Sequence, residues 1–174
     1  MNRTSDELNA VAIECLDLLI VYYTYRETTN KFNPNSGTRL DLHRWWVCLR
    51  TLENDIILRL CRLDDDDKNN HSLREAMRSI RSEMPAALSA SLDKRLKEYR
   101  QLINPLKTKA RNYFLAHMSK TANVPYDPQG GLEKPIESVV NIIDSIAGVQ
   151  QEYFLTLGSH EKKLDLREEL AGGP

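Results

Sequence analysis

The chain has almost no net charge. Its 24 Lys and Arg residues stand against 25 Asp and Glu, a formal −1 at pH 7. No global field draws it to nucleic acid or to an anionic membrane, which argues against a sequence-blind nucleic-acid coat protein. Any contact with RNA must come from a local basic cluster. Cysteine is scarce too: Cys15, Cys48 and Cys61 are an odd three with no CxxC pair. That argues against a disulfide framework or a zinc knuckle, and each cysteine lies in an apolar helical pattern that reads as a buried, reduced thiol. Seven glycines and seven prolines among 174 residues are too few for a fibrous or disordered chain. No uninterrupted apolar run approaches the ~20 residues that span a bilayer, and the polar start MNRTSDEL lacks the apolar core of a signal peptide. The expected setting is soluble and cytoplasmic, away from any membrane. A Gly-rich phosphate loop, a GxSxG elbow and an HExxH pair are all absent. His43, His71 and His160 are scattered without ligand spacing, so neither a metal nor another cofactor is expected.

What is present is apolar periodicity of three and four. Leu8, Val11, Cys15, Leu18, Tyr22 and Tyr25 mark a first helix, with Thr4 and Glu7 spaced as a capping box. It should end before the turn chemistry of Asn33-Pro34-Asn35-Ser36-Gly37. Leu42, Trp45, Leu49, Leu52, Ile56, Leu60 and Leu63 mark a second; one of the pair Trp45 and Trp46 must face away from that stripe, free for an interface. Asp64 to Asp67 then oppose the helix macrodipole, so this run is expected to leave the helix as a solvated loop. It is a poor calcium loop, because Lys68 takes a ligand position and Asn69 the place of the required glycine. Ser72 and Glu75 cap a third helix from Leu73 to about Met84, before Pro85. Leu88, Leu92, Leu96, Tyr99 and Ile103 form the next stripe, which Pro105 either kinks or ends. Leu106, Ala110 and Phe114 continue it, residues 123–131 read as a loop, and Ile136, Val139, Val140, Ile143, Ile146 and Ala147 extend through Phe154 and Leu157 as the last main helix. A short polar helix is expected over His160 to Leu170. No period-two segment is evident. The expectation is an all-α antiparallel bundle of about five to six helices, one domain over residues 1–170, with 171–174 a tail that nothing orders.

One segment carries chemistry. Lys107 to His117 contains Arg111, Asn112, then YFLA, then His117. This Arg-polar-x4-His arrangement resembles the signature of HEPN ribonucleases. The run Leu58-Arg59-Leu60-Cys61-Arg62-Leu63, with the aspartates and His71-Ser72-Leu73 after it, is similar to the AbiU-type branch found in abortive-infection systems. The resemblance implies a metal-independent endoribonuclease, a toxin or phage-defence effector, working as a homodimer. It also implies a controlling partner, an antitoxin of nucleotidyltransferase type.

The chemistry suits those residues independently. RNA brings its own nucleophile, the 2′-hydroxyl, and cleavage needs a base, an acid and positive charge on the phosphate. Histidine titrates near neutrality and serves as either acid or base. Arginine offers a charged planar fork to phosphate oxygens, and Asn112 adds a hydrogen bond. On a helix, six residues separate by about 9 Å of rise and about 120° of azimuth, so two copies across a two-fold axis bring one arginine to the other's histidine more readily than one copy does. Arg111, Asn112 and His117 are thus the candidate catalytic set. Lys107, Lys109 and Lys120 are a candidate basic rim, and Tyr113 a candidate base-stacking ring. Each also reads more plainly: His117 as a core-edge histidine, Arg111 as a surface ion-pair residue, Asn112 as an exposed helix residue, Tyr113 as packing beside the bundle or dimer seam. The rival function is a catalytically silent HEPN-like module that binds RNA, nucleotide or protein in a defence or toxin–antitoxin system. A purely structural helical subunit is a third.

Overall fold

Most of the apolar stripes become helices, and many of the residues they select are buried, whereas Leu42, Trp45, Leu49 and Leu52 are half-buried and Leu88 is exposed. The computed structural model of the protein describes residues 3–31, 33, 37–108 and 131–164. Among them are α1 (Arg3–Lys31), α2 (Arg39–Leu63), α3 (Leu73–Ile80) with a 3-10 turn at Arg81–Glu83, α4 (Ala86–Pro105) and α5 (Glu133–Ala147). They form an all-α bundle, closed by a small hairpin of β1 (Tyr153–Leu157) and β2 (His160–Leu164).

α5 is the central element and packs against all four other helices. Its Ile136, Val139, Val140, Ile142, Ile143 and Ile146 are all buried, so apolar surface is needed on more than one face. Pro135 sits in its first turn, where the missing N–H costs no helical bond. Tyr22 of α1 donates its hydroxyl to Glu133 Oε1 at 2.8 Å. Burial first, then this hydrogen bond, raises the Tyr22 phenol above its ordinary range.

α1 and α2 form an antiparallel pair. Arg59 reaches Glu14 at 3.2 Å, Asp17 at 3.1 Å and Asp55 at 3.0 Å. Burial pulls its pKa down, but the Asp55 hydrogen bond and the acids of α1 outweigh that and raise it. By length and composition α1 is long and apolar enough to cross a membrane. Glu14 and Asp17, mid-helix, are the groups Arg59 holds, and Val11, Cys15, Leu18 and Leu19 are buried in the shared core. One face of α1 is thus part of the core.

The caps differ in part from expectation. Ser72 Oγ accepts from Glu75 N at 3.4 Å, half of the expected capping box, while the Glu75 carboxylate meets Arg78 instead. Glu7, by contrast, turns its carboxylate to His71 Nδ1 at 2.7 Å. The unforeseen capping box is at α2. Thr38 Oγ1 accepts from Asp41 N at 3.3 Å, and Asp41 Oδ2 accepts from Thr38 N at 2.9 Å. Asp41 stands where glutamate is usual, so the pattern is easy to pass over. Of the cysteines, Cys15 and Cys61 are buried as expected, but Cys48 is exposed. It lies on the part of α2 that extends beyond the core.

The C-terminal part corrects two expectations. Phe154 and Leu157 do not extend the last helix, and residues 160–164 are strand; the expected helix beyond 164 and the tail 171–174 lie outside the described residues. Gly148 takes the left-handed conformation, φ 71°, which stops α5, and Asp144 Oδ1 accepts from Gln151 N at 2.8 Å to fix the exit. Gly158, φ 62°, starts the two-residue turn that pairs Leu157 with His160. Gly-Ser between strands is a hairpin signal. Tyr153 pins the hairpin to α1 by donating its hydroxyl to Cys15 Sγ at 3.3 Å.

Tyr99 is fully buried and donates to the Leu60 carbonyl at 2.7 Å. Burial, and then the charge of Asp64, push its phenol well above the ordinary range, so it stays a donor. Tyr99→Phe leaves that carbonyl without its partner. A loss of about 1–2 kcal/mol is expected, read as a lower urea midpoint with an unchanged slope.

Candidate functional site

Of the seven candidate site residues, the structure describes Lys107. Arg111, Asn112, His117, Lys109, Tyr113 and Lys120 lie outside the described residues, as does the expected loop up to residue 130. What is visible is how the chain leading into that segment is held.

Pro105 does not end the helix. Residues 106–108 continue it as a wider π turn. Proline offers no N–H to the carbonyl a turn earlier, and a widened turn is one way the backbone accommodates that. Leu92, Leu96, Tyr99, Ile103 and Leu106 are buried along α4 and its continuation. Arg100 and Lys107, seven residues apart, share a face and converge on Asp64.

The aspartate run leaves the helix as expected, with Asp66 and Asp67 exposed, but Asp64 is not solvated. Its side chain is 0% exposed. It is the C-cap residue of α2, where a negative charge opposes the macrodipole and burial removes its water. Three cations offset both costs. Arg100 Nε lies 3.2 Å and 3.0 Å from the two carboxylate oxygens, Arg74 Nη2 3.5 Å from Oδ1, and Lys107 Nζ 2.6 Å from Oδ2. Lys107 also donates to the Asp64 carbonyl at 3.0 Å, filling a helix-end acceptor. Asp66 completes the cluster by accepting from Arg100 Nη2 at 2.6 Å, with Arg74 Nε at 3.3 Å. That hydrogen bond holds the Asp66 carboxyl below its usual range and raises the Arg100 guanidinium. Asp65 accepts from Asp67 N at 3.0 Å, which lowers its pKa. The loop is ordered by its own acids.

Two carboxylates thus face three cations. Arg74 comes from the helix that Ser72 caps, Asp64 follows directly on Leu63, and Arg100 and Lys107 stand before Arg111. The cluster therefore joins α2, α3 and the approach to the Arg-Asn-x4-His segment. Lys107 is an anchor here, tied to a buried carboxylate and 21% exposed. Sequence reasoning missed Asp64, Arg74 and Arg100. The available signal was the apolar run directly preceding the first aspartate, which places that one acid on a buried stripe.

An open groove of about 1020 Å³ runs elsewhere, between α4 and α5. Arg95 and Lys134 alternate there with Glu98, Glu137 and Asp144, so it is no track for a polyanion. Among the described residues no group of three His, Cys, Asp or Glu side chains is placed to hold a metal ion.

Compared with known proteins, the chain matches the profile of one family, AbiU2 of the HEPN type, over residues 1–147. The match runs to the last residue of α5 and leaves out the hairpin. No curated protein and no solved structure matches.

Asp64→Asn keeps the shape and removes the charge. It removes the ionic partner of Lys107 and leaves Arg100 and Arg74 with Asp66 alone, and a loss of about 3 kcal/mol is expected in chemical denaturation. Asp66→Asn, at an exposed carboxylate, should cost under about 1 kcal/mol. Equal effects would remove Asp64 from the centre of the cluster. The pH dependence has a fixed sign. Asp65 and Asp66 are held below their unfolded values, so their stabilisation is complete above about pH 4 and is lost as pH falls through their folded values. Stability should decline on acidification below about pH 4, less so in Asp66→Asn.

Proposed function

Because the chain belongs to the AbiU2 family of HEPN proteins, we propose that it is a metal-independent endoribonuclease, a toxin or phage-defence effector that works as a homodimer. The observation that carries this is the intact Arg111-Asn112-x4-His117 sequence inside the matched residues. His117 takes the 2′-hydroxyl proton or protonates the leaving 5′-oxygen. Arg111, from the same or the other subunit, holds the phosphate as its charge develops, and Asn112 adds a hydrogen bond. The 2′-oxygen attacks phosphorus as the P–O5′ bond breaks, leaving a 2′,3′-cyclic phosphate and a 5′-hydroxyl. Lys107 and Arg100 act at one remove: their grip on Asp64 supports the approach to the segment. Lys109 and Lys120 supply positive charge at the rim, and Tyr113 a ring for a base. A restraining partner of nucleotidyltransferase-antitoxin type belongs to the same proposal, as does a cytoplasmic location.

A second reading has one observation in its favour. The net charge is −1 and Lys107 is neutralised within the fold, which suits a silent binding module. One experiment separates the two. Purified protein is incubated with mixed RNA in EDTA, beside Arg111→Ala and His117→Ala. Chelator-resistant cleavage that drops at least about 100-fold in both variants, with cyclic-phosphate ends, is the expected result. Equal cleavage by all three sinks the enzyme, and binding without cleavage leaves the module.

A further inference from the structure

Beyond Tyr22, α1 has no buried residue, and before Glu53 neither has α2. Tyr25 still packs against the core; past it the two helices run on as an antiparallel pair without buried residues, and the charge of this arm differs from that of the whole. Residues 23–54 contain five Lys and Arg against three acids, while the complete chain is at −1. Arg39, His43, Trp46 and Arg50 follow at spacings of four, three and four, so they share one face of α2. Arg50 is engaged with Glu53 at 2.7 Å. Arg39 and His43 are exposed and meet no ionic partner among the described residues. Between them and Arg50 stands Trp46, 62% exposed. An indole in water is a costly placement for a surface that touches nothing.

We infer that Trp46, with Arg39 and His43, is a docking platform for single-stranded RNA: the indole stacks on a base while Arg39 meets a backbone phosphate and the His43 ring lies beside it. A polyanion with exposed π-faces fits this surface, since a positive charge beside an aromatic ring is what single-strand binding uses, and Arg39 supplies it here. Position supports it. The segment bearing Arg111 and His117 rejoins the described fold at Gly131 to Glu133, and Glu133 is the residue bonded to Tyr22, where the arm leaves the core. The arm that carries the platform thus leaves the bundle beside the point where that segment re-enters. This inference rests on the proposed function for its substrate class, and it adds where the strand is gripped.

The test uses the full chain and a 20-nucleotide fluorescein-labelled single-stranded RNA of mixed sequence. Anisotropy is measured in His117→Ala, alone and combined with Trp46→Ala, Trp46→Phe or Arg39→Ala. Loss of the ring should weaken binding about tenfold, Trp46→Phe should restore most of it, and Arg39→Ala should weaken it and flatten the salt dependence. All four proteins should keep the same helical circular dichroism, since these side chains are on the surface. Unchanged affinity in Trp46→Ala, in a protein whose wild type cleaves RNA through His117, overturns the platform and leaves the nuclease standing. Trp46-dependent binding without any cleavage does the reverse. A fall in sedimentation mass with affinity unchanged assigns the surface to a second copy of the chain and overturns the inference.

Discussion

A carboxylate removed from water at the negative end of a helix dipole is the constraint on which much of this fold turns. Asp64 sits there with three cations, Arg74, Arg100 and Lys107, brought to it from two other segments. Each arrives through a separate piece of local structure. The Ser72 cap starts the helix that carries Arg74, the α4 stripe orients Arg100, and the π turn after Pro105 carries Lys107. The requirement is mutual, since those cations are themselves partly buried and need the carboxylate. A polar cluster of this kind specifies one arrangement of α2, α3 and α4, where apolar packing alone tolerates several.

The resemblance seen in Leu58 to Leu63 and the aspartates thereby gains a physical meaning. Ile56, Ile57, Leu60, Cys61 and Leu63 fill the core, Tyr99 seals the Leu60 carbonyl, and the next residue is the buried acid. His71 and Ser72, at the far end of the loop, hold α1 and start α3. A run that looks like a surface acidic patch is the joint between three helices.

Much of the bundle was legible because helical burial follows period 3.6, which composition does not obscure. Val11, Cys15, Leu18, Ile56, Leu60, Leu92, Leu96, Tyr99, Ile136 and Ile143 are the residues that pattern selects, and all are buried. What escaped was decided by partners distant in sequence. Nothing near Asp64 shows that Arg100, thirty-six residues away, will neutralise it. The hairpin escaped for another reason. Tyr153 to Leu157 continues the apolar spacing of α5, and the left-handed turn at Gly148 outweighs it. Of the candidate site, periodicity gave the helix leading to it and the fate of Pro105 stayed open. The residue types of Arg111, Asn112 and His117 are a matter of sequence alone, and the geometry of their approach is what the fold adds.

α2 is one continuous helix of two mechanical kinds. From Glu53 to Leu63 its amides are shielded by packed neighbours, and from Arg39 to Leu52 no residue beside them is buried. Backbone opening near the Thr38 end needs only the capping box and one neighbouring helix to give way, whereas opening near Asp64 requires the whole bundle to come apart. The two ends of this one helix therefore differ in how much of the surrounding structure guards each amide.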